Sequence, residues 1–273
     1  MTAVEVGTTD GVAATPAVSW LVCTHVANDL LRQALRSCFD QTFSDFELVV
    51  VANGQDSATI VSAVREWFGE DDRLRVVGTD IRHLNFSLNL GLHLCRAELV
   101  ARMDGDDLSS PDRLTRQVEF MRAHPDVVVL GTDYAVIDLN GRPCGGVSLP
   151  TADGDIRWSL LWRNPLCHPA VMFRRDAVRH VGGYLGAIHA EDYDLWSRLA
   201  LNPSNRFANL SQPLLSYRSA GVGMARRSRH AYAAVAAAQW RNFILGAGAL
   251  WAVAAVFSSI KAIVRSDRPA DLR

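Results

Sequence analysis

Two hydrophobic periods alternate along the first hundred residues. An apolar run at 18–22 predicts a short buried strand. Over 29–40, Leu30, Leu31, Ala34, Leu35 and Cys38 fall on one side at helical spacing. The run from Phe46 to Ala52 is nearly continuous, the pattern of a parallel strand covered on both faces. Asn53-Gly54 ends it in a turn. The same reading predicts a helix at 57–68, a strand at 74–77, a helix at 87–95 and a strand at 99–103. This β-α alternation implies a doubly wound, mainly parallel Rossmann-like sheet with helices on both faces. Asp104 follows the fourth strand directly, at the carboxyl edge where open α/β sheets take their ligands.

The pattern changes after Pro111. A helix is expected at 112–123, with Pro111 in its first turn. Strands are expected at 127–131 and 134–138, followed by a hairpin turn at Asn140-Gly141. Helical spacing returns at 156–162 and 191–201, and 170–174 reads as extended. Residues 231–264 form one long alanine-rich helix or two. The pattern divides the chain into a lead-in at 1–16, an α/β half at 17–130, a second half at 131–225, and a basic loop with an apolar helix at 226–273.

Composition narrows the class. Of 273 residues, 49% are apolar and 21% charged, with a net charge of −1, so a large core is available and nucleic acid is not an expected partner. Five cysteines stand at 23, 38, 95, 144 and 167, with no CxxC pair. They read as reduced thiols of a cytoplasmic protein rather than a disulfide framework or zinc site. The lead-in lacks the basic start and apolar run of a signal peptide. From Phe243 to Phe257 no side chain is polar, and 243–264 has about the length needed to span a bilayer or lie in its surface. Arg265, Arg268 and Arg273 follow as a cytoplasmic flank would. The alternative is a helix packed on the domain or in a homodimer interface.

Four constellations carry candidate chemistry. Asp104, Asp106 and Asp107 crowd three carboxylates into four residues, with Gly105 freeing the backbone to turn. Such charges repel unless a cation lies between them, and Mg²⁺ or Mn²⁺ typically joins carboxylates to substrate phosphates. The plainer reading is a solvated acidic turn before the next helix. Glu191 and Asp192 suit the first turn of a helix, where the dipole favours acids. Alternatively, one is a general base taking a proton from an acceptor hydroxyl. Asp194 should point elsewhere on that helix. His168, between Pro165 and Pro169, is either a hydrogen-bonded structural group or a contact to phosphate, acceptor or metal. Arg218, Arg226, Arg227, Arg229 and His230, with Gly221 and Gly223 among them, either close over a diphosphate or attract a membrane surface.

In this order the motifs resemble the family 2 glycosyltransferases, especially bacterial members of cell-surface polysaccharide synthesis. The resemblance spans about 18–218. It is carried by 18–25, by 37–51, by Ala101-Arg102-Met103-Asp104-Gly105-Asp106-Asp107, by Arg113-Leu114 and Gln117, by His168-Pro169, by Gly182-Gly183-Tyr184, and by Ala190-Glu191-Asp192-Tyr193-Asp194-Leu195-Trp196. It implies the GT-A fold, a nucleotide-diphospho-sugar donor, a divalent metal ion, inversion at the anomeric carbon, and a glycan or lipid-linked acceptor at the inner face of the plasma membrane. By the same resemblance 17–130 is the nucleotide-sugar-binding half and 131–225 the acceptor-binding and catalytic half, Asp104 lies near the ribose, Asp106 binds the metal and Asp107 supports the loop. Thr24 and Asn53 border the base, and Asp192 is the catalytic base with Glu191 beside it.

Three departures stand out. The chain has Cys23-Thr24-His25-Val26 where the family has Pro-Thr-aromatic-Asn. It has Ala52-Asn53-Gly54 where an acidic pair precedes the glycine. It also lacks a His-rich stretch after Tyr217-Arg218. Asn53 keeps both a donor and an acceptor for a base edge. Two other activities fit less of the pattern. A nucleotidyltransferase would carry a Gly-rich basic loop after the first strand, where this chain has Thr24-His25-Val26-Ala27-Asn28. A non-catalytic sugar-nucleotide-binding protein at the membrane would explain only the altered turn at Asn53.

Overall fold

The computed structural model describes residues 14–69, 71–186, 189–219 and 228–264. Its first half alternates as the apolar pattern predicts. The elements are β1 (Val18–Thr24), α1 (Asp29–Phe39), β2 (Phe46–Asn53), α2 (Ser57–Phe68), β3 (Leu74–Thr79), α3 (Leu84–Leu94) and β4 (Leu99–Asp104). Every residue of β2 is buried, which explains its unbroken apolar run. The Asn28 side chain caps α1 by accepting from the Leu31 amide at 3.0 Å. α3 begins three residues before the helix expected at 87–95, because His83 supplies its N-cap. Inside α3, Gly91 lets the helix lie close on the sheet: a Cβ there would stand 2.2 Å from Leu21 Cδ1.

The second half departs more from the sequence pattern. It contains β5 (Leu108–Ser109), α4 (Arg113–Ala123), β6 (Val127–Ile137), β7 (Pro143–Val147), α5 (Asp153–Leu160), β8 (Met172–Arg174), α6 (Arg175–His180), α7 (Glu191–Leu199), β9 (Arg206–Arg218), α8 (Arg229–Ile244) and α9 (Ala249–Val264). Asp112, not Pro111, is the N-cap of α4, so Pro111 lies outside the helix. Its carbonyl instead accepts from the Thr42 amide at 2.8 Å. The two strands expected at 127–131 and 134–138 are one strand, β6, with register shifts around Asp133. The Asn140-Gly141 hairpin turn is present, joining β6 to β7, with Asp138 Oδ1 accepting from the amides of Asn140 and Arg142. Only 172–174 of the expected extended stretch is strand, because His168–Ala170 forms a 3₁₀ turn first.

The strands form one sheet in the order β3-β2-β1-β4-β8-β6-β9-β5, with β7 added to β6. β1, β2, β3 and β4 pair in parallel. β8 is antiparallel to both β4 and β6, while β6 and β9 run parallel. Both faces are covered. Val18, Trp20 and Val22 pack toward the layer of α1, α2 and α4, and Leu21 toward α3 and α7.

Arg113 fastens the halves together. Its guanidinium donates to the carbonyls of Arg102 and Pro169, both at 2.9 Å, and lies 4.8 Å from the Trp20 ring centroid. A fully buried arginine is tolerated here because carbonyls and a π face satisfy it.

Candidate active site

The carboxyl ends of β1, β2 and β4 border a cavity of about 480 Å³. Thr24, Asn53, Asp104 and Asp106 line it, together with His25, Asn28, Arg82 and His83. The Thr24 hydroxyl tightens the turn after β1, donating to the Val26 carbonyl at 2.8 Å and accepting from the Val26 amide at 3.2 Å. Asn53, the last residue of β2, is buried at the cavity wall.

Asp104 ends β4, and the chain turns at once to β5. That turn brings carboxylate oxygens of Asp104, Asp106 and Asp107 within 4.8 Å of one another. β9 holds the loop from behind. The Arg218 amide donates to Asp107 Oδ1 at 2.8 Å, and Arg218 Nε donates to the Asp106 carbonyl at 2.8 Å. Asp107 Oδ2 is buried without a hydrogen-bond partner. Burial, and next the neighbouring Asp104, pushes the Asp107 carboxyl up to about 8. The same two causes, in the same order, raise Asp106. Crowded oxygens, an unpartnered buried acceptor and two raised acids fit a hard divalent cation.

The second acidic motif opens α7. Asn164 Nδ2 donates to Asp192 Oδ2 at 2.6 Å, and the Tyr193 amide donates to Asp192 Oδ1 at 2.7 Å. Burial and then Asp192 push the Glu191 carboxyl up to about 7, and Asp104 adds to the rise. The fields of the two acidic motifs therefore overlap. Arg102 acts on both: it lowers Asp106, Asp107 and Glu191, and its Nη2 pairs with Asp104 Oδ1 at 2.6 Å. Arg102 is 3% exposed, and its Nε and Nη1 have no partner.

The other sequence candidates separate. Asp194 turns away, its Oδ2 accepting from Arg198 Nε at 2.9 Å and its Oδ1 pairing with Arg241. His168 is buried, with Nε2 2.9 Å from the Tyr184 hydroxyl and its ring edge-on to Trp196. Burial and then Arg102 hold it well below the usual histidine range, so it is neutral at physiological pH. Glu191 and Asp192 do not line the cavity that Asp104 and Asp106 border. His230 is exposed in the first turn of α8. Arg226 and Arg227 lie outside the described residues.

Sequence reasoning missed the contacts of Arg102 and Asn164. Arg102 left a trace, as a charged residue inside an otherwise apolar strand, which must be paired when buried. Asn164 left none, because its partner is 28 residues away.

A mostly parallel sheet with an acidic turn at its carboxyl edge and helices at its C-terminus defines the GT-A class of nucleotide-sugar transferase folds. Solved structures agree. The mannosyltransferase PcManGT of Pyrobaculum calidifontis, solved with GDP-Man and Mn²⁺, superposes with a TM-score of 0.59 at 19% identity, over 94% of this chain and 77% of that one. S. aureus TarS 1–349, solved with UDP-GlcNAc, gives 0.60 at 20% identity over 81% and 66%.

Sequence comparison then names the family. The model of Glycosyl transferase family 2 matches residues 19–182. The O-antigen biosynthesis glycosyltransferase WbnJ of Escherichia coli is 35% identical over 203 residues, 74% of this chain and 79% of that protein. The amylovoran biosynthesis glycosyltransferase AmsE of Erwinia amylovora is 33% identical over 73% and 74%. An Escherichia coli UDP-Gal:alpha-D-GlcNAc-diphosphoundecaprenol beta-1,3-galactosyltransferase is 28% identical over 80% of each. The chain belongs to glycosyl transferase family 2 and is a glycosyltransferase.

Proposed function

We propose that this glycosyltransferase moves a sugar from a nucleotide-diphospho-sugar, with inversion, to a hydroxyl of a glycan or lipid-linked acceptor at the cytoplasmic face of the membrane. One observation carries the donor reading: Asp104, Asp106 and Asp107 gather their oxygens within 4.8 Å beside a cavity of about 480 Å³. In this reading residues 17–130 hold the donor and 131–225 supply the base and the acceptor contacts. The lipid-linked acceptor is supported by the relative that acts on a diphosphoundecaprenol sugar.

Each residue then has a task. Thr24 and Asn53 border the base, and Asp104 meets the ribose. Asp106 is the metal ligand, with Asp107 holding the turn through Arg218. A divalent ion held there supplies charge stabilisation to the diphosphate. Asp192 takes the proton as the acceptor oxygen bonds to the anomeric carbon and the bond to the diphosphate breaks. Asn164 fixes the direction in which that carboxylate faces, and Glu191 lies beside it. Asp106→Ala and Asp192→Asn should each abolish transfer from the donor while circular dichroism and melting stay near wild type. Only Asp106→Ala should also weaken metal-dependent donor binding. Full transfer by either variant overturns the assignment.

A further inference from the structure

Helix α9 is packed inside out. Its buried face is Ala254, Ala255 and Ser258, all small. Its exposed side carries Leu250, Val253, Val256, Phe257, Ile260, Ile263 and Val264, with Ile263 83% exposed. Packing in water would place such side chains inward, since fully burying one stabilises by roughly 1.5–3 kcal/mol. The patch does not stop at α9. Phe257 meets Trp162 edge-on at 6.2 Å, and Trp162 meets Trp158 at 6.1 Å, so two exposed tryptophans, one in α5 and one just after it, border the patch. The end of α8 adds exposed Trp240, Phe243, Ile244 and Leu245.

The geometry excludes a span by α9. The apolar stretch 243–264 is broken at Gly246 and Gly248, whose φ angles of +85° and +105° turn α8 back into α9 as a hairpin. α9 has 16 residues, about 24 Å of helix against a hydrocarbon core of roughly 30 Å. Among the described residues no helix is long and apolar enough to cross a membrane.

Charge identifies what covers the patch. Residues 226–273 contain eight Lys or Arg against two Asp, although the whole chain has a net charge of −1. The near-neutral total therefore conceals a cationic C-terminal segment. Lys261 lies at the margin of the patch, its ammonium 5.7 Å from the Tyr232 ring centroid. Large apolar side chains, tryptophans and the excess of Lys and Arg in the sequence of the hairpin and its flanks match an anionic bilayer surface.

We propose that the α8–α9 hairpin and the Trp158/Trp162 pair form a monotopic docking face that lies in the surface of an anionic lipid bilayer. This inference rests on the surface and its charge, not on the donor or acceptor reading.

Flotation of the full chain with phosphatidylcholine vesicles, with and without phosphatidylglycerol, tests it. The protein should float with the anionic vesicles, bind neutral ones at least tenfold more weakly, and be released by salt. The triple variant Leu250→Gln/Val253→Gln/Ile260→Gln should bind the anionic vesicles about a hundredfold more weakly or worse, with Mn²⁺-dependent donor binding unchanged. Lys261→Glu should weaken binding about tenfold. The single variant Ile263→Gln, at the most exposed site, provides the test should the triple variant fail to fold. No flotation, or equal binding to neutral vesicles, overturns the proposal. So does a concentration-dependent dimer abolished by the same variants, because a second copy would then cover the face. Loss of donor binding in Asp106→Ala leaves flotation untouched, so the two readings fail separately.

Discussion

At the residue scale, the site depends on carboxylates whose surroundings set their charge. Asp192 accepts from the Asn164 side chain at 2.6 Å on Oδ2 and from the Tyr193 amide at 2.7 Å on Oδ1. Asn164→Ala should lower kcat about tenfold to a hundredfold, with donor affinity unchanged, because orientation and not binding is lost. Steady-state kinetics with calorimetric donor titration separate the two effects. Asp107 behaves differently. Its ordinary value is 3.8, and burial, then Asp104, lift it to about 8, so the acidic turn holds a proton more readily near pH 7 than free carboxylates do. A divalent cation held by Asp106 would favour the ionised form of its neighbour Asp107, so Mn²⁺ binding should release protons near pH 7 and tighten as pH rises through about 8. Calorimetry in buffers of different ionisation enthalpy measures that release. Because the raised acid binds its proton more tightly when folded, its contribution to stability is complete below about 3.8 and is lost as pH rises through about 8.

At the element scale, the parallel strands are tied where the sequence pattern shows only apolar runs. Glu47 is buried in β2, yet it accepts from Ser19 Oγ at 2.7 Å, from the Arg96 amide at 2.7 Å and from Arg96 Nε at 2.8 Å. Burial alone would raise its carboxyl, but the Ser19 hydroxyl and Arg96 together hold it below 4.5. Glu47 therefore contributes stability present above about 4.5 and lost as acid protonates it, opposite in sign to Asp107. Glu47→Gln should cost about 2–3 kcal/mol by chemical denaturation, with a smaller difference from wild type at acid pH. The β-α alternation of 18–104 was legible because each element buries a face and writes its own period. β9 was not legible. It contains Pro213 opposite the register shift at Asp133, so no clean alternation marks it, and its long pairing with β6 replaces that signal.

At the scale of the whole molecule, the acidic site and the apolar, cationic face occupy different parts of the surface. The glycine turn at 246–248 sets the direction of α9, since both glycines hold positive φ. Gly246→Ala/Gly248→Ala should strain that turn by about 1–2 kcal/mol per residue and weaken vesicle binding, leaving donor binding intact. Flotation and donor calorimetry on the same preparation measure both. With a lipid-linked acceptor in vesicles, this variant should also transfer more slowly than with the same acceptor in detergent.

The chain by itself determined the alternating elements up to Asp104, the three-carboxylate turn and the acidic start of α7, because periods, caps and adjacent charges act within a few residues. It also carried the departure at Asn53, which ends β2 at the cavity wall. Only the tertiary structure decided that Arg102 pairs with Asp104 beneath the cavity, that Asn164 reaches Asp192, that His168 is buried against Tyr184, and that α9 turns its large side chains outward. Each of these depends on how far and in what direction distant segments are brought together, and hydrophobic period encodes neither.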